Sequence, residues 1–264
     1  DCSPVAHDAN PAWRARREDT RLSQPVAFNQ PDIRIELEQQ QRLAKADAYL
    51  YWLFKNLESF IGQRVLDVGC AIGNITQFFI DRQHVVGIDV APEMIEEIKK
   101  RFAEHGNFRA YVYDITDPAV LALRQENLDT VVCVHVLEHV YDDQQALRHL
   151  RGLLPAGGRL ILLVPVVKWV WGTLDEATGH QRRYTWRELR PLLERHGFRV
   201  KDHWYVNFLA IFGWFVTGRI LHHKIIPSGQ YSLYNRLTPL LARLETWIRP
   251  PIGLSVACIC EAVE

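Results

Sequence analysis

The fold of this chain is decided by the stretch Val65-Leu66-Asp67-Val68-Gly69-Cys70-Ala71-Ile72-Gly73-Asn74, which is followed by Val86-Gly87-Ile88-Asp89. Each segment begins with an apolar run that is typical of a buried strand. The first run ends in a turn of small residues, and the carboxylate of Asp89 stands about 20 residues beyond that turn. A βαβ unit holds an adenosine-bearing cofactor with this arrangement. We therefore expect a nucleoside cofactor at this turn.

The details of the turn narrow the class of cofactor. A dinucleotide fingerprint has a third glycine where this chain has Asn74, because close packing of helix and strand needs glycine there. Asp67 stands just before the turn, where its negative charge would repel a diphosphate and attract an ammonium or sulfonium group. The turn therefore suits a cationic cofactor without phosphates.

The turn resembles the first motif of the class I S-adenosylmethionine-dependent methyltransferases, which reads Asp/Glu-x-Gly-x-Gly-x-Gly. The matching positions are Asp67, Gly69, Ala71 and Gly73, with alanine in place of the middle glycine. The resemblance implies that the turn lies against the methionyl part and the ribose of S-adenosylmethionine. The alternative is that the glycines only form a tight connection between a strand and a helix.

The resemblance also assigns two acids further along the chain. Asp89 would hold the ribose hydroxyls, and Asp114, at the end of Tyr111-Val112-Tyr113-Asp114-Ile115, would face the adenine amino group. Asp114 has a second interpretation as a turn or helix-capping residue. The expected cofactor-binding residues are Asp67, Gly69, Ala71, Gly73, Asp89, Asp114, Ile115 and His135.

Composition predicts one soluble enzyme domain. The chain has 264 residues, of which 48% are hydrophobic and 23% charged, enough for a large core. Lys plus Arg and Asp plus Glu are equal at 31 each, so no overall field favours nucleic acid as a partner. The cysteines lack metal-ligand spacing and suit reduced thiols in a cytoplasmic protein. They are Cys2, Cys70, Cys133, Cys258 and Cys260.

The chain divides into an arm and a single domain. Residues 1–31 contain prolines and charges without periodicity and predict a flexible arm with no signal-peptide core. Residues 32–264 form the domain, beginning with a helical cap at 32–60 that covers the cofactor or only packs on the sheet. The cofactor-binding half follows at 61–165. The substrate-binding half covers 166–264 and includes a lid-like insertion at 207–250.

Apolar runs and helical segments alternate after the turn and predict an α/β fold. A helix begins at Pro92, and strands are expected at 109–113, 128–134, 159–164, 198–206 and 254–261. The resemblance implies an antiparallel last strand. We therefore expect a doubly wound, seven-stranded, Rossmann-like methyltransferase sheet with an N-terminal helical cap and an apolar helical insertion before the last strand.

The segment His135-Val136-Leu137-Glu138-His139 matches the His-x-x-Glu-His zinc signature of one metalloprotease class. That chemistry needs both histidines on one helix, whereas His135 follows directly on a buried strand. No metal is therefore expected. His139 is a candidate base, with a structural role as the alternative.

The second chemical region is residues 171–185, in the connection after the fifth strand. Its sequence pattern, Asp-x-x-x-Gly-His-x-Arg-Arg-Tyr-Thr, resembles that of a subgroup of bacterial small-molecule methyltransferases. We expect His180 to take a proton from the acceptor and Tyr184 to orient it. In the alternative, an arginine pairs with Asp175 or Glu176 to hold the loop. The expected acceptor-binding residues are Trp171, Asp175, Arg182, Arg183 and Phe212.

Residues 207–218 form an apolar insertion with four aromatic side chains. A membrane-spanning helix needs about 20 apolar residues, so this run is too short to be one. Three uses remain open: a lid over a hydrophobic acceptor, the face of a homodimer, and a peripheral contact with a membrane.

The leading function is methyl transfer from S-adenosylmethionine to an oxygen or nitrogen of a small-molecule acceptor, in bacterial secondary metabolism. A lipid-linked or saccharide acceptor at a membrane surface is the alternative substrate. An NAD-dependent oxidoreductase and a non-catalytic cofactor-binding scaffold are the alternatives from other classes. The sequence predicts the cofactor and not the acceptor, because acceptor specificity lies in variable loops.

Overall fold

A mixed seven-stranded sheet forms the centre of the protein, and the computed structural model describes residues 33–248 and 250–264. The expected arm, residues 1–31, lies outside the described residues. The strands are β1 (Arg64–Val68), β2 (His84–Asp89), β3 (Phe108–Val112), β4 (Thr130–Val134), β5 (Arg159–Pro165), β6 (Phe198–Val206) and β7 (Ser255–Ala262).

The strand order across the sheet is β3-β2-β1-β4-β5-β7-β6. The first five strands in this order pair in parallel, and β7 runs antiparallel to both β5 and β6. The order reverses beside β1, because the chain moves outward to β2 and β3 and then returns to β4. Ligands of such sheets bind outside the carboxyl ends of the strands at this reversal. The predicted doubly wound seven-stranded fold is confirmed.

Helices connect the strands and cover the sheet. The helices are α1 (Ile33–Leu43), α2 (Asp47–Lys55), α3 (Pro92–Arg101), α4 (Asp143–Leu153), α5 (Thr173–Ala177), α6 (Trp186–Arg195), α7 (Ala210–Trp214) and α8 (Ser228–Ile248). Shorter 3₁₀ segments follow several strands, including Thr76–Phe78 after β1 and Leu137–His139 after β4.

Both faces of the sheet are buried, which explains its continuous apolar strands. In β1, Leu66 and Val68 belong to the core on one face, which includes α4 and α6 residues such as Leu147. Val65 belongs to the core on the opposite face, with Phe54 of α2. Successive side chains point to opposite faces of a strand, so one apolar run serves two cores.

The apolar insertion is not one continuous α-helix. Helix α7 is followed by a π-helical segment, Phe215–Ile220, and then by the long helix α8. Ile211 is buried, whereas Phe212 and Ile220 on the same segment are exposed. None of the helices in the described part of the chain has both the length and the apolar character that crossing a membrane requires.

Asn207 joins β6, the insertion and the helical cap. Its backbone has φ +63°, in the left-handed region that asparagine tolerates better than most residues. Its side-chain amide donates to the Tyr49 hydroxyl at 3.0 Å and accepts from the Tyr234 hydroxyl at 3.1 Å. Glu245 accepts from the backbone N–H of Asn207 at 3.0 Å. One buried residue thus ties α2 and α8 to the end of the sheet.

We expect Asn207→Ala to lower the free energy of unfolding by about 2–3 kcal/mol, because it removes two side-chain hydrogen bonds and strains the left-handed backbone. Asn207→Gly removes the same hydrogen bonds without the strain, so its loss is smaller. Urea denaturation measures both. Equal losses in the two variants would contradict a contribution from the backbone conformation.

Candidate functional site

The turn after β1 has the backbone that its small residues predict. Gly69, Ala71 and Gly73 have φ of +66°, +44° and +83°, all in the left-handed region. A side chain on Gly69 would collide with Val136, and one on Gly73 would come within 2.5 Å of Phe102. Glycine is therefore required at both positions for close packing. Ala71 adopts the same region at a cost of roughly 1–2 kcal/mol.

Asp89 holds the turn to the end of β2. Its carboxylate accepts backbone N–H groups from Ala71 and Ala91, each at 3.0 Å. The backbone N–H groups of Gly69 and Cys70 donate to the Ile88 carbonyl. A carboxylate has about four lone-pair sites, so Asp89 keeps room for a further donor besides the backbone groups of Ala71, Ala91 and Val90. The acid predicted to hold ribose hydroxyls therefore stands at the turn and keeps that capacity.

Asp67 is buried beneath the turn. Its carboxylate accepts a hydrogen bond from the Thr76 hydroxyl at 2.5 Å. Burial raises the pKa of Asp67 to about 7, and the negative charge of Asp89 adds to the shift. Burial also raises the pKa of Asp89. Within the described part of the chain, no lysine or arginine is among the groups that act on these two acids.

Helix α1 of the cap lies over the turn. The Asn74 amide donates to the backbone carbonyl and the side-chain oxygen of Gln40, at 2.9 and 3.0 Å. Arg101 donates to the Ile72 carbonyl at 2.9 Å. Burial raises the pKa of Glu36, and Asp89 contributes to that rise. The residue that replaces the third glycine, Asn74, therefore connects the cap to the turn.

Asp114 follows β3 at the same edge of the sheet. Its carboxylate accepts from the backbone N–H and the hydroxyl of Thr116, each at 2.7 Å. This contact matches the turn interpretation of Asp114 and leaves its second oxygen without a recorded partner among the described residues. Ile115 is buried, and its carbonyl contacts His149 at 2.7 Å. The predicted adenine contact of Asp114 stays a prediction.

The segment after β4 lies next to the turn after β1. Val136 packs against Gly69, and the backbone N–H of His135 donates to the Leu163 carbonyl at 2.9 Å. The His135 ring contacts the Glu138 carboxylate at 3.1 Å. Glu138 is fully buried, and its Oε2 atom has no hydrogen-bond partner among the residues that the structure describes. Sequence analysis did not assign Glu138, although the His-x-x-Glu-His pattern contains it.

Asp175 organises the loop after β5. Its side chain is fully buried, with Oδ1 at 2.8 Å from Nδ1 of His180 and 2.6 Å from Nε of Arg183. Its Oδ2 accepts from the indole N–H of Trp214 at 3.0 Å. Burial raises the pKa of Asp175, but the hydrogen bond from His180 and the Arg183 charge outweigh burial and lower it to about 2. Asp175 is therefore ionised.

In the structure Asp175 and Arg183 hold the loop, and direct contact of either residue with the acceptor stays a prediction. Both side chains are inside the protein and bind one another, as in the alternative interpretation of the loop. Arg183 also lies over the Trp214 ring, with 5.3 Å from its guanidinium carbon to the ring centre. The Asp175–Arg183 ion pair holds His180 in place. Sequence analysis missed Trp214, whose signal was only its place in an apolar run.

Tyr184 and Arg182 are also held within the protein. The buried Tyr184 hydroxyl donates to Asp143 at 2.8 Å, and burial raises its pKa. Arg182 forms an ion pair with the same carboxylate at 2.7 Å and donates to the Tyr141 carbonyl at 2.6 Å. The Tyr184 hydroxyl thus bonds to Asp143, and its role in orienting the acceptor stays a prediction. Arg182 remains partly exposed.

Two aromatic residues predicted to bind the acceptor lie in the loop after β5 and in the insertion. Trp171 is partly buried, and its carbonyl accepts from Arg219 at 2.9 Å. Phe212 is 59% exposed, and its ring meets Phe208 edge-on at 6.1 Å between centres. The structure thus connects Trp171 to Arg219 and leaves Phe212 on the surface.

His139 and His180 come together although 41 positions separate them. Their rings meet edge-on, with 4.7 Å between centres. One ligand atom from each of Glu138, His139 and His180 lies within 4.8 Å of the other two. Burial lowers the pKa of His139 to about 4, so its imidazole is neutral near pH 7. These three residues could hold a metal ion or a proton near the cofactor turn.

Comparison with known proteins agrees with this site. A family model described as a methyltransferase domain matches residues 66–160. A ubiquinone biosynthesis O-methyltransferase of Xanthomonas euvesicatoria is 37% identical over 156 residues, which cover 53% of this chain and 64% of the relative. An enzyme of the same name from Aeromonas salmonicida is 25% identical over 184 residues, covering 64% and 77%. Residues 66–160 therefore form a methyltransferase domain of the S-adenosylmethionine-dependent type.

The solved structures agree with the fold of this methyltransferase. A S-adenosylmethionine-dependent methyltransferase from Archaeoglobus fulgidus superposes with a TM-score of 0.53 at 18% identity, covering 80% of this chain and 94% of that one. This likeness concerns the fold alone. The methyltransferase spans less than two thirds of the length of several curated relatives that it matches, and 48% of one of them.

The methyltransferase should show a pH-dependent gain in stability on substitution of Asp67. The pKa of Asp67 is about 7 in the folded protein against 3.8 for an ordinary Asp. An unfolded chain releases this proton above pH 4, whereas the folded protein keeps it until about pH 7. Between pH 4 and pH 7, Asp67 therefore lowers the free energy of unfolding by a growing amount. Above pH 7 the whole of this reduction remains.

We expect Asp67→Asn to raise the free energy of unfolding at pH 8 by an amount on the order of a few kcal/mol, and this gain to disappear near pH 4. Denaturation at a series of pH values measures it. Asp81→Asn, which changes an exposed carboxylate, is the control. A difference between Asp67→Asn and wild type that does not vary with pH would contradict the raised pKa.

Proposed function

We propose that this methyltransferase transfers a methyl group from S-adenosylmethionine to an oxygen of a small-molecule acceptor. The observation that carries the proposal is the position of the His139–His180 pair beside the Asp67–Gly73 turn. Val136, which packs on Gly69, lies three residues from His139 in the chain. A proton-accepting group and a cofactor turn therefore share one edge of the sheet.

The acids of the turn fit S-adenosylmethionine, which carries positive charge and no phosphate. Asp67 and Asp89 are desolvated carboxylates with no lysine or arginine acting on them within the described residues. Asp89 can accept ribose hydroxyls while it holds Ala71 and Ala91. When bound, S-adenosylmethionine supplies a methyl carbon that its sulfonium makes electrophilic. Glu36 and Gln40 of α1 stand where they would help to exclude water from the turn.

Asp175 orients the His180 ring toward the acceptor side. Its Nδ1 lies 2.8 Å from the Asp175 carboxylate, and the tautomer with a proton on Nδ1 donates to that carboxylate and leaves the lone pair on Nε2. His139 stands against the same ring, and the pair lies at the end of the sheet where an acceptor would approach. Because methyl transfer is an in-line displacement, the task of these residues is to position the acceptor atom and to assist loss of its proton.

The insertion reaches this site, which supports its use as a lid. The Trp214 ring of α7 lies parallel to the His180 ring, with 6.4 Å between centres and 3° between planes. Trp214 also donates to Asp175, so it belongs to the same set of contacts. A lid with an aromatic inner surface suits an apolar or aromatic acceptor. The exposed apolar residues of α8 keep the homodimer and membrane contacts as competing uses.

Oxygen is favoured over nitrogen because two of the named relatives are ubiquinone biosynthesis O-methyltransferases. A role in bacterial secondary metabolism and a cytoplasmic location belong to the same proposal. Four cysteines of the described residues, Cys70, Cys133, Cys258 and Cys260, are free and buried, in agreement with a reducing compartment.

Cofactor binding is tested by calorimetric titration with S-adenosylhomocysteine, in parallel with NAD. We expect micromolar binding of the former and a loss of at least tenfold in Asp89→Ala, about 1.4 kcal/mol, because the ribose loses its acceptor. Asp202→Ala changes an exposed carboxylate of β6 and is the control. Tighter binding of NAD, or no binding of S-adenosylhomocysteine, would overturn the assignment of the cofactor.

The proton step is tested with His180→Ala. We expect turnover with the best acceptor from a panel of phenols and other hydroxylated molecules to fall about 10²–10⁴-fold, with binding of S-adenosylhomocysteine unchanged. His203→Ala removes a histidine of β6 that stacks on Trp186 and should leave turnover intact. Unchanged turnover in His180→Ala would remove His180 from the mechanism. Cofactor binding without methylation of any acceptor would instead support a non-catalytic scaffold.

A further inference from the structure

Three potential metal ligands converge beside the proposed acceptor site. Glu138 and His139 come from the 3₁₀ segment after β4, and His180 comes from the loop after β5. One ligand atom from each lies within 4.8 Å of the other two. The Glu138 side chain is fully buried, and the His180 side chain is 8% exposed. A cation at their centre would be largely shielded from water.

Glu138 has an oxygen that no described group satisfies. Its Oε1 contacts the His135 ring at 3.1 Å, but its Oε2 is buried without a hydrogen-bond partner. A buried, unpaired carboxylate oxygen is costly, and native proteins rarely leave one without a function. Glu138 thus offers the site a buried carboxylate oxygen with a free lone pair.

The two imidazoles are already held as metal ligands usually are. Asp175 accepts from Nδ1 of His180, which leaves Nε2 for a cation. The Thr178 backbone accepts a hydrogen bond from His139. Metal-bound histidines almost always donate their other ring N–H to a carboxylate or carbonyl in this way. The charge of Arg183 is matched by Asp175, so Glu138 provides the negative charge for the cation.

We propose that Glu138, His139 and His180 bind a divalent transition-metal ion, Zn²⁺ or a metal of similar preference, at the acceptor side of the cofactor turn. Two imidazoles and one carboxylate are a ligand set for zinc and related metals that leaves coordination positions open for a substrate. This set differs from the His-x-x-Glu-His signature considered in the sequence, because His135 is replaced by His180. It also departs from the expectation that no metal is needed.

The proposal rests on the proposed function and specifies its acceptor class as a hydroxyl that can bind a metal, such as a phenol or catechol. The cation would hold the acceptor oxygen and lower the pKa of its hydroxyl, whose proton passes to solvent. The oxygen then forms a bond to the methyl carbon, and the electron pair of the broken carbon–sulfur bond stays on sulfur. In this arrangement His180 binds the cation and so assists loss of the acceptor proton through it.

Metal binding is tested on the full chain after treatment with a chelator, by titration with Zn²⁺ in a calorimeter and with Co²⁺ by visible absorption. We expect one ion per chain, a spectrum of low-symmetry Co²⁺ coordination, and a higher melting temperature with Zn²⁺. Glu138→Gln and His180→Ala should each weaken binding by at least about 100-fold, because each removes one of three ligands.

His84→Ala is the matched control. His84 contacts Glu126 at 2.7 Å and so is also an imidazole beside a carboxylate, but at the opposite edge of the sheet. The His84→Ala variant should bind Zn²⁺ and Co²⁺ as the wild type does. Equal binding in wild type, Glu138→Gln and His180→Ala, or no binding to wild type, would overturn the proposal. Circular dichroism of each variant verifies that the fold is intact.

Methylation is measured separately, so that the two proposals fail independently. If the proposed metal site exists, protein treated with a chelator should keep its affinity for S-adenosylhomocysteine and lose at least tenfold in turnover. Addition of Zn²⁺ should restore the turnover. Full turnover without metal would overturn the catalytic part of the metal proposal and leave His180 as the base. Metal binding without any methylation would overturn the proposed function and leave the metal site standing.

Discussion

The parallel alignment of β1 between β2 and β4 is the constraint on which the rest of the structure depends. Residue by residue, Val65 to Val68 pair with Val85 to Ile88 on one side and with Thr130 to Cys133 on the other. The three strands therefore end together, and the segments that follow them meet at one edge. Gly69 accommodates Val136 there because it has no side chain. Any larger residue would separate the cofactor turn from the histidine segment.

A second set of contacts builds the acceptor side around one buried charge. Asp175 receives bonds from His180, Arg183 and Trp214, which come from the loop itself and from the insertion. Burying a carboxylate is unfavourable unless it is paired and hydrogen-bonded, and here three donors compensate for the lost water. The consequence is that the orientation of His180 and the position of the insertion are coupled through a single side chain.

The site also contains groups whose burial is not compensated. Asp67 carries a raised pKa, and Glu138 keeps an oxygen without a partner among the described residues. Natural proteins accept such costs where a ligand compensates for them, because selection acts on function as well as on stability. Ala71 adds a left-handed backbone at the same turn. The unfavourable features therefore cluster where the cofactor and acceptor are expected to meet.

The sequence by itself determined the strands and the small-residue turn after β1. Apolar runs, glycine positions and the acids that follow strands are local signals, and the family resemblance implied that the last strand is antiparallel. Only the tertiary structure decided which polar residues of the 171–185 loop are inside. Asp175, Arg183 and Tyr184 looked suited to an acceptor, but each has a partner from a distant segment or from across the loop. The meeting of Glu138, His139 and His180 was equally hidden, because ligands 41 positions apart come together only when β4 and β5 pair in register and bring their following loops to one edge.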